Sequence, residues 1–201
     1  MTPGVPRPVV ERGSLTIPNI ITLFRFLLVP AVVFALLAGD LDWAFAGFLA
    51  AAVSDGVDGF IARQFDQRSE LGAYLDPVAD KLLLVSVFVV LGYMGHLPLW
   101  LVVAAVSRDA LIIGGVMLST VMENPVAMKP LLVSKANTLT QFLLAALVLA
   151  SLSFSFSLGG FYNGLVYLSA LLTVASGAAY LVGWIKHMGG YVDTGTPKGK
   201  G

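Results

Sequence analysis

The chain has 201 residues, of which 57% are hydrophobic and 12% charged, and its twelve Lys+Arg balance twelve Asp+Glu to a formal net charge of zero. Soluble proteins carry about a quarter of their residues as charges, so this composition, with a mean hydropathy of +0.86, excludes a disordered chain and predicts an integral membrane protein. The balanced charge, without a basic block, argues against a nucleic-acid partner; the absence of cysteine excludes disulfides, thiolate metal sites and a cysteine nucleophile.

At about 20 apolar residues per span, the length allows roughly six to eight spans and one domain. Residues 1–16 contain Pro3, Gly4, Pro6, Pro8, Gly13 and two arginines. They read as a cytosolic tail, not a signal peptide, because no small-residue cleavage site follows the first apolar run. Apolar stretches then fall at 17–38, 43–64, 72–95, 97–121, 131–153 and 160–185, separated by turns with Gly, Pro, Asp or Asn. The predicted fold is all-α: six transmembrane helices around a cytoplasm-facing polar cavity, with residues 17–187 as the domain and 188–201 as a flexible tail.

Lysine and arginine placement sets the expected orientation. Arg7, Arg12, Arg63, Arg68, Lys129, Lys135, Lys186, Lys198 and Lys200 all fall on one side of the six-helix arrangement, so both termini are expected in the cytoplasm, with the chain in a bacterial inner membrane. Trp43, Trp100, Trp184 and Tyr191 fall near predicted helix ends, as an interfacial aromatic belt does. His96, in an outer turn, and His187, at the end of the sixth helix, have no partner spaced for catalysis.

Arg25, Lys81 and Arg108 lie inside predicted spans, as do Asp55, Asp58, Asp76, Asp80 and Asp109. An ionisable group at membrane depth costs at least about 2.5–3.5 kcal/mol, so a cluster needs partners, a cavity or a metal. Asp55 and Asp58 are spaced i,i+3 near the cytoplasmic end of the second helix. Asp76 and Asp80 are spaced i,i+4 near the start of the third, so each pair shares a helix face. Four carboxylates against Arg63 and Lys81 leave a net charge of about −2 in low dielectric, which one or two divalent cations would balance. Oxygen-only donors suit Mg²⁺, Mn²⁺ or Ca²⁺ rather than zinc, and the pattern lacks the ligand spacing of an EF-hand.

The stretch resembles the signature of the CDP-alcohol phosphatidyltransferases, D-x-x-D-G-x-x-A-R, eight residues, then G-x-x-x-D-x-x-x-D. Asp55, Asp58, Gly59, Ala62, Arg63, Gly72, Asp76 and Asp80 fill every fixed position. The resemblance implies a six-helix core and a reaction in which an acceptor hydroxyl attacks the β-phosphorus of CDP-diacylglycerol and CMP leaves. It also implies that Asp55, Asp58, Asp76 and Asp80 hold two Mg²⁺ or Mn²⁺ ions, that Asp80 is the general base, and that Asp55, Gly59, Ala62, Arg63, Gly72 and Thr22 line the CDP pocket. A homodimer through the fourth helix, where Ala104-Ala105 and Gly114-Gly115 permit close contact, is a further implication.

For the acceptor, Pro18 to Arg25 resembles phosphatidylglycerophosphate synthases and cardiolipin synthases alike. Ser107-Arg108-Asp109, and Lys129-Pro130 with Ser134-Lys135-Ala136-Asn137-Thr138, resemble the mitochondrial-type cardiolipin synthases more closely. No further basic residue follows Arg108 within Ala110 to Thr120, and fewer cations suit a singly charged phosphodiester better than glycerol 3-phosphate. Arg108, Lys135 and Arg25 are therefore expected at the acceptor phosphate, and phosphatidylglycerol as the acceptor. Glycerol 3-phosphate is the alternative, with inositol phosphate and serine behind it. An ion or proton transporter is the reading from another class, but it predicts matching polar groups in two halves, and the second half offers only Arg108, Asp109 and Lys135.

Overall fold

The computed structural model describes residues 17–65, 70–121 and 132–188, and every regular element among them is an α-helix. In chain order these are α1 (Ile17–Ala38), α2 (Leu41–Phe65), α3 (Glu70–Tyr93), α4 (Leu99–Val121), α5 (Leu132–Ser153) and α6 (Gly160–Met188). The boundaries follow the expected ones to within a few residues, and local chemistry accounts for the differences. α4 begins at Leu99 rather than 97 because Pro98 disfavours helical geometry at Leu97, while the Pro98 carbonyl accepts the first bonds, from the Leu101 and Val102 N–H groups at 3.0 and 3.3 Å.

Two helices end in the same way. After α1, Gly39 adopts φ 83°, and the Gly39 and Asp40 N–H groups bond the Leu36 and Ala35 carbonyls at 3.1 and 2.9 Å. After α3, Gly95 adopts φ 80°, with Gly95 and His96 bonding Gly92 and Leu91 at 3.1 and 2.8 Å. Both are Schellman caps, in which a left-handed residue closes the last carbonyls onto the chain, and glycine occupies that geometry without a Cβ clash.

The chain divides into two compact units, Met1–Ser86 and Val87–Gly201. In the first, α1 packs on α2. Val32, Leu36, Ala44, Phe48 and Ala51 form its buried seam, and a Cβ at Gly47 would lie 2.8 Å from Val32 Cγ2, so the missing side chain sets how closely the helices approach. In the second, α6 packs against both α4 and α5. Tyr162 of α6 donates to the His96 carbonyl in the α3–α4 turn at 3.0 Å, and Gly92 would place a Cβ 2.7 Å from Val102 Cγ2.

Much of the helical exterior is apolar: Leu27, Phe34, Leu111, Tyr167 and Leu171 are all more than half exposed. Among the described residues, Leu132–Ser153 and Gly160–Ile185 are long and apolar enough to cross a membrane, while the apolar stretches Leu23–Ala38, Leu41–Ser54 and Lys81–Tyr93 are shorter. Trp43 and Trp100 are exposed at the starts of α2 and α4, and Trp184 lies near the end of α6; Tyr191 lies outside the described residues.

Candidate active site and the buried arginine

The acidic motif falls on helical backbone. Asp55, Asp58, Gly59, Ala62 and Arg63 lie on α2, and Gly72, Asp76 and Asp80 on α3. The expected i,i+3 and i,i+4 separations are therefore carried by continuous helix on both sides of the α2–α3 connection. Their side chains, and that of Thr22 on α1, lie outside the described residues, as do residues 66–69 and 122–131, which include Arg68, Lys129 and Pro130. The donor set is all carboxylate oxygen, which fits a hard divalent cation and not a thiophilic one. Among the described residues no three His, Asp or Glu side chains come together to hold a metal.

Arg25 is fully buried on α1, in the first unit. Arg108 is 4% exposed on α4, in the second, and its surroundings are the best-defined polar site among the described residues. Its Nη1 meets Asp109 Oδ1 at 2.6 Å. Its Nε and Nη2 both donate to Ser176 Oγ on α6, at 3.1 and 2.5 Å. Nη2 also donates to Ser134 Oγ on α5, and the guanidinium carbon stands 5.9 Å from the centroid of the Tyr180 ring, within cation–π range. A guanidinium removed from water is tolerated when a counter-charge and hydrogen-bond acceptors surround it; three helices supply them here.

The sequence expectations divide accordingly. Ser107-Arg108-Asp109 and Ser134-Lys135 were grouped by resemblance, and the structure joins Arg108, Asp109 and Ser134 directly. Lys135, next to Ser134, is exposed. Ser176 and Tyr180 were not anticipated, nor was the layer beside them, in which Thr173 Oγ1 donates to Asn137 Oδ1 at 2.9 Å and Gln141 Nε2 donates to Thr173 Oγ1 at 3.2 Å. A signal for these residues exists: Ser134, Asn137 and Gln141 stand at i, i+3, i+7 on α5, and Ser169, Thr173 and Ser176 at i, i+4, i+7 on α6. Polar stripes of helical period in apolar helices mark a buried interhelical face.

The pair Gly114-Gly115 also resolves into two roles. A Cβ at Gly115 would sit 3.6 Å from Trp184 Cδ1, in ordinary contact, whereas a Cβ at Gly114 would meet nothing within 4 Å. Gly114 borders a cavity of about 640 Å³ between α4 and α6, lined also by Ser107, Leu111, Tyr180, Leu181 and Trp184.

Comparison with known proteins agrees with the motif. The family profile for CDP-alcohol phosphatidyltransferase matches residues 15–182. A human protein named cardiolipin synthase (CMP-forming) is 32% identical over 189 residues, covering 86% of this chain and 63% of its own. A Drosophila melanogaster relative named probable cardiolipin synthase (CMP-forming) is 31% identical over 188 residues, 86% of this chain and 58% of its own. A Streptomyces coelicolor protein named cardiolipin synthase (CMP-forming) is 36% identical over 123 residues, 55% of this chain and 57% of its own. The matched regions thus span between about half and two thirds of these relatives' lengths.

Proposed function

The chain belongs to the CDP-alcohol phosphatidyltransferase family, and from that premise we propose that it transfers the phosphatidyl group of CDP-diacylglycerol to the hydroxyl of phosphatidylglycerol, giving cardiolipin and CMP. The observation that carries this reading is the unbroken acidic motif on α2 and α3. On it, Asp55, Asp58, Asp76 and Asp80 would hold Mg²⁺ or Mn²⁺, which would supply positive charge to the pyrophosphate and the leaving phosphate. Gly59, Ala62, Arg63, Gly72 and Thr22 receive the CDP moiety.

In the transfer itself, Asp80 accepts the proton of the acceptor hydroxyl. The hydroxyl oxygen bonds to the β-phosphorus, the bond from that phosphorus to the oxygen bridging the two phosphates breaks, and CMP leaves with the electron pair. Arg63 lies on the motif where the pyrophosphate needs positive charge. All six helices cross the membrane in this reading, the polar cavity opens to the cytoplasm, both termini lie there, and two copies pair through α4.

The acceptor assignment draws support from Arg108. Its charge is balanced by Asp109 at 2.6 Å, so this site stays near neutral until an anion arrives. A phosphodiester with one negative charge suits such a site better than a phosphomonoester with nearly two. The names of the relatives point the same way.

The test is to incubate the purified protein with CDP-diacylglycerol and Mg²⁺ or Mn²⁺, offering phosphatidylglycerol and glycerol 3-phosphate separately, and to identify the lipid by mass. Cardiolipin with CMP from phosphatidylglycerol is the expected result. Product from glycerol 3-phosphate alone would overturn the acceptor, and CMP release that ignores chelation of the metal would overturn the mechanism.

A further inference from the structure

Arg108 is not part of the lining of the α4–α6 cavity. Its guanidinium is engaged by Asp109, Ser134 and Ser176. Gly177 and Tyr180, which do line the cavity, close it on that side: a Cβ on Gly177 would touch Arg108 Cγ at 3.6 Å, and the Tyr180 ring meets the guanidinium at 5.9 Å. What is left is an apolar groove whose hydroxyl-bearing residues, Ser107 and Tyr180, lie at the closed end. Its walls continue through Ala110 and Gly114 to Leu118 and Trp184. Leu111, Leu118 and Leu181 on the rim are 63%, 47% and 50% exposed, so the groove opens sideways.

Length and charge select an occupant. Ser107 and Leu118 are eleven residues apart on α4, about 16 Å of helix, and one leaflet of a hydrocarbon core about 30 Å thick measures about 15 Å. With both termini in the cytoplasm, α4 and α6 run toward that side, so the groove begins at mid-span beside Ser107 and Gly177 and reaches the cytoplasmic helix ends at Leu118 and Trp184. An acyl chain from the cytoplasmic leaflet fits this course, its ester end at Trp184 and its methyl end at Tyr180. A helix of a second copy would cross the whole core instead of stopping at half depth. The sequence beyond the cytoplasmic end, residues 119–135 and 185–201, carries five lysines against Glu123 and Asp193, and Lys186 stands two residues past Trp184. Each lysine near the surface favours an anionic headgroup by about 1 kcal/mol, and an indole at this level suits the headgroup boundary. We propose that the α4–α6 groove seats one chain of an anionic phospholipid of the cytoplasmic leaflet, held as a resident lipid that does not react. Gly114 leaves it room, since a Cβ there would meet nothing within 4 Å. The inference rests on the orientation with both termini cytoplasmic and not on the identity of the acceptor.

Trp184 supplies a direct probe. The Trp43→Phe, Trp100→Phe protein retains one tryptophan, and bromine on a lipid chain quenches indole fluorescence only near contact. The test lipid is phosphatidylmethanol, which carries one negative charge and no free hydroxyl, so it cannot serve as an acceptor. In nanodiscs of phosphatidylcholine, brominated phosphatidylmethanol is expected to quench Trp184 saturably and to exceed brominated phosphatidylcholine by about tenfold in apparent affinity, a difference of 1.4 kcal/mol. Bromine in the half of the chain nearest the ester should quench more than bromine near the methyl end, and Gly114→Leu should remove the saturable part. Should that variant fail to fold, Ala110→Leu fills the same wall. Equal affinity for the two lipids would reduce the groove to ordinary lipid contact and overturn the proposal. Stronger quenching from the methyl end, or selective quenching that survives the filled groove, would overturn it as well, and no quenching by either lipid would give the groove to a second copy. The orientation is checked separately: the chain has no cysteine, so Gly199→Cys offers a single thiol, expected to react with an impermeant maleimide only after spheroplasts are opened. Labelling in intact spheroplasts would overturn the leaflet together with the orientation, whereas failure of the quenching contrast removes the groove alone.

Discussion

Arg108 and Ser176, 68 residues apart in sequence, are joined by two hydrogen bonds from one guanidinium to one hydroxyl, Nε at 3.1 Å and Nη2 at 2.5 Å. This contact ties α4 to α6 beside the buried cation, which Asp109 and Ser134 also engage, and orients the guanidinium plane. Ser176→Ala should loosen that orientation without removing the charge. A hydrogen bond to a charged group contributes about 1.5–3 kcal/mol, so the KM for phosphatidylglycerol is expected to rise about tenfold while the KM for CDP-diacylglycerol stays within about twofold. Initial rates over both substrates check this, and an equal rise in both would remove the link between Ser176 and the acceptor.

Asp109 is the counter-charge. Removing one partner of a buried ion pair costs about 3–5 kcal/mol because the other charge is left uncompensated, whereas replacing both is far milder. Asp109→Asn should therefore lower the thermal midpoint in detergent, and Arg108→Gln with Asp109→Asn should recover most of it. The double variant is expected to make little cardiolipin. Thermal unfolding and product assays on the same preparations separate the two effects, and a double variant no more stable than the single would refute the pairing argument.

The general-base assignment predicts a separation of binding from turnover. Asp80→Asn is expected to retain CDP binding and to lose about 10²–10⁴-fold in rate, measured by isothermal titration with CDP beside a CMP-release assay. Near-normal turnover would show that another group takes the proton. Chelation of divalent cations should stop CMP release in the parent protein, with recovery on adding Mg²⁺ or Mn²⁺.

Close packing inside the second unit gives a prediction independent of chemistry. A methyl group on Gly92 would fall 2.7 Å from Val102 Cγ2, and the β-branched valine has little freedom to turn away. Gly92→Ala should destabilise by about 1–3 kcal/mol through overpacking, and Val102→Ala in the same chain should return part of it. A double-mutant cycle of unfolding in detergent measures that coupling; additive effects would mean the two residues do not press on each other.

The helices were legible because their causes are local. Apolar stretches, the glycines at 39 and 95, and Pro98 before α4 set where helices run and stop, and the acidic motif was legible as two carboxylate pairs at i,i+3 and i,i+4 on helical backbone. The polar stripes of α5 and α6 were legible as periodicities too, though not as partners: Ser134 and Ser176 become ligands of Arg108 only when α4, α5 and α6 pack at one register. The same holds for Gly114-Gly115. Adjacent glycines look equivalent in a sequence, yet successive residues turn by about 100° around a helix, so although both line the cavity, a Cβ would meet Trp184 at Gly115 and nothing within 4 Å at Gly114. Local composition and spacing determined which segments are helical and which polar residues share a helix face; the rotation and register of one helix against another decided which of them meet.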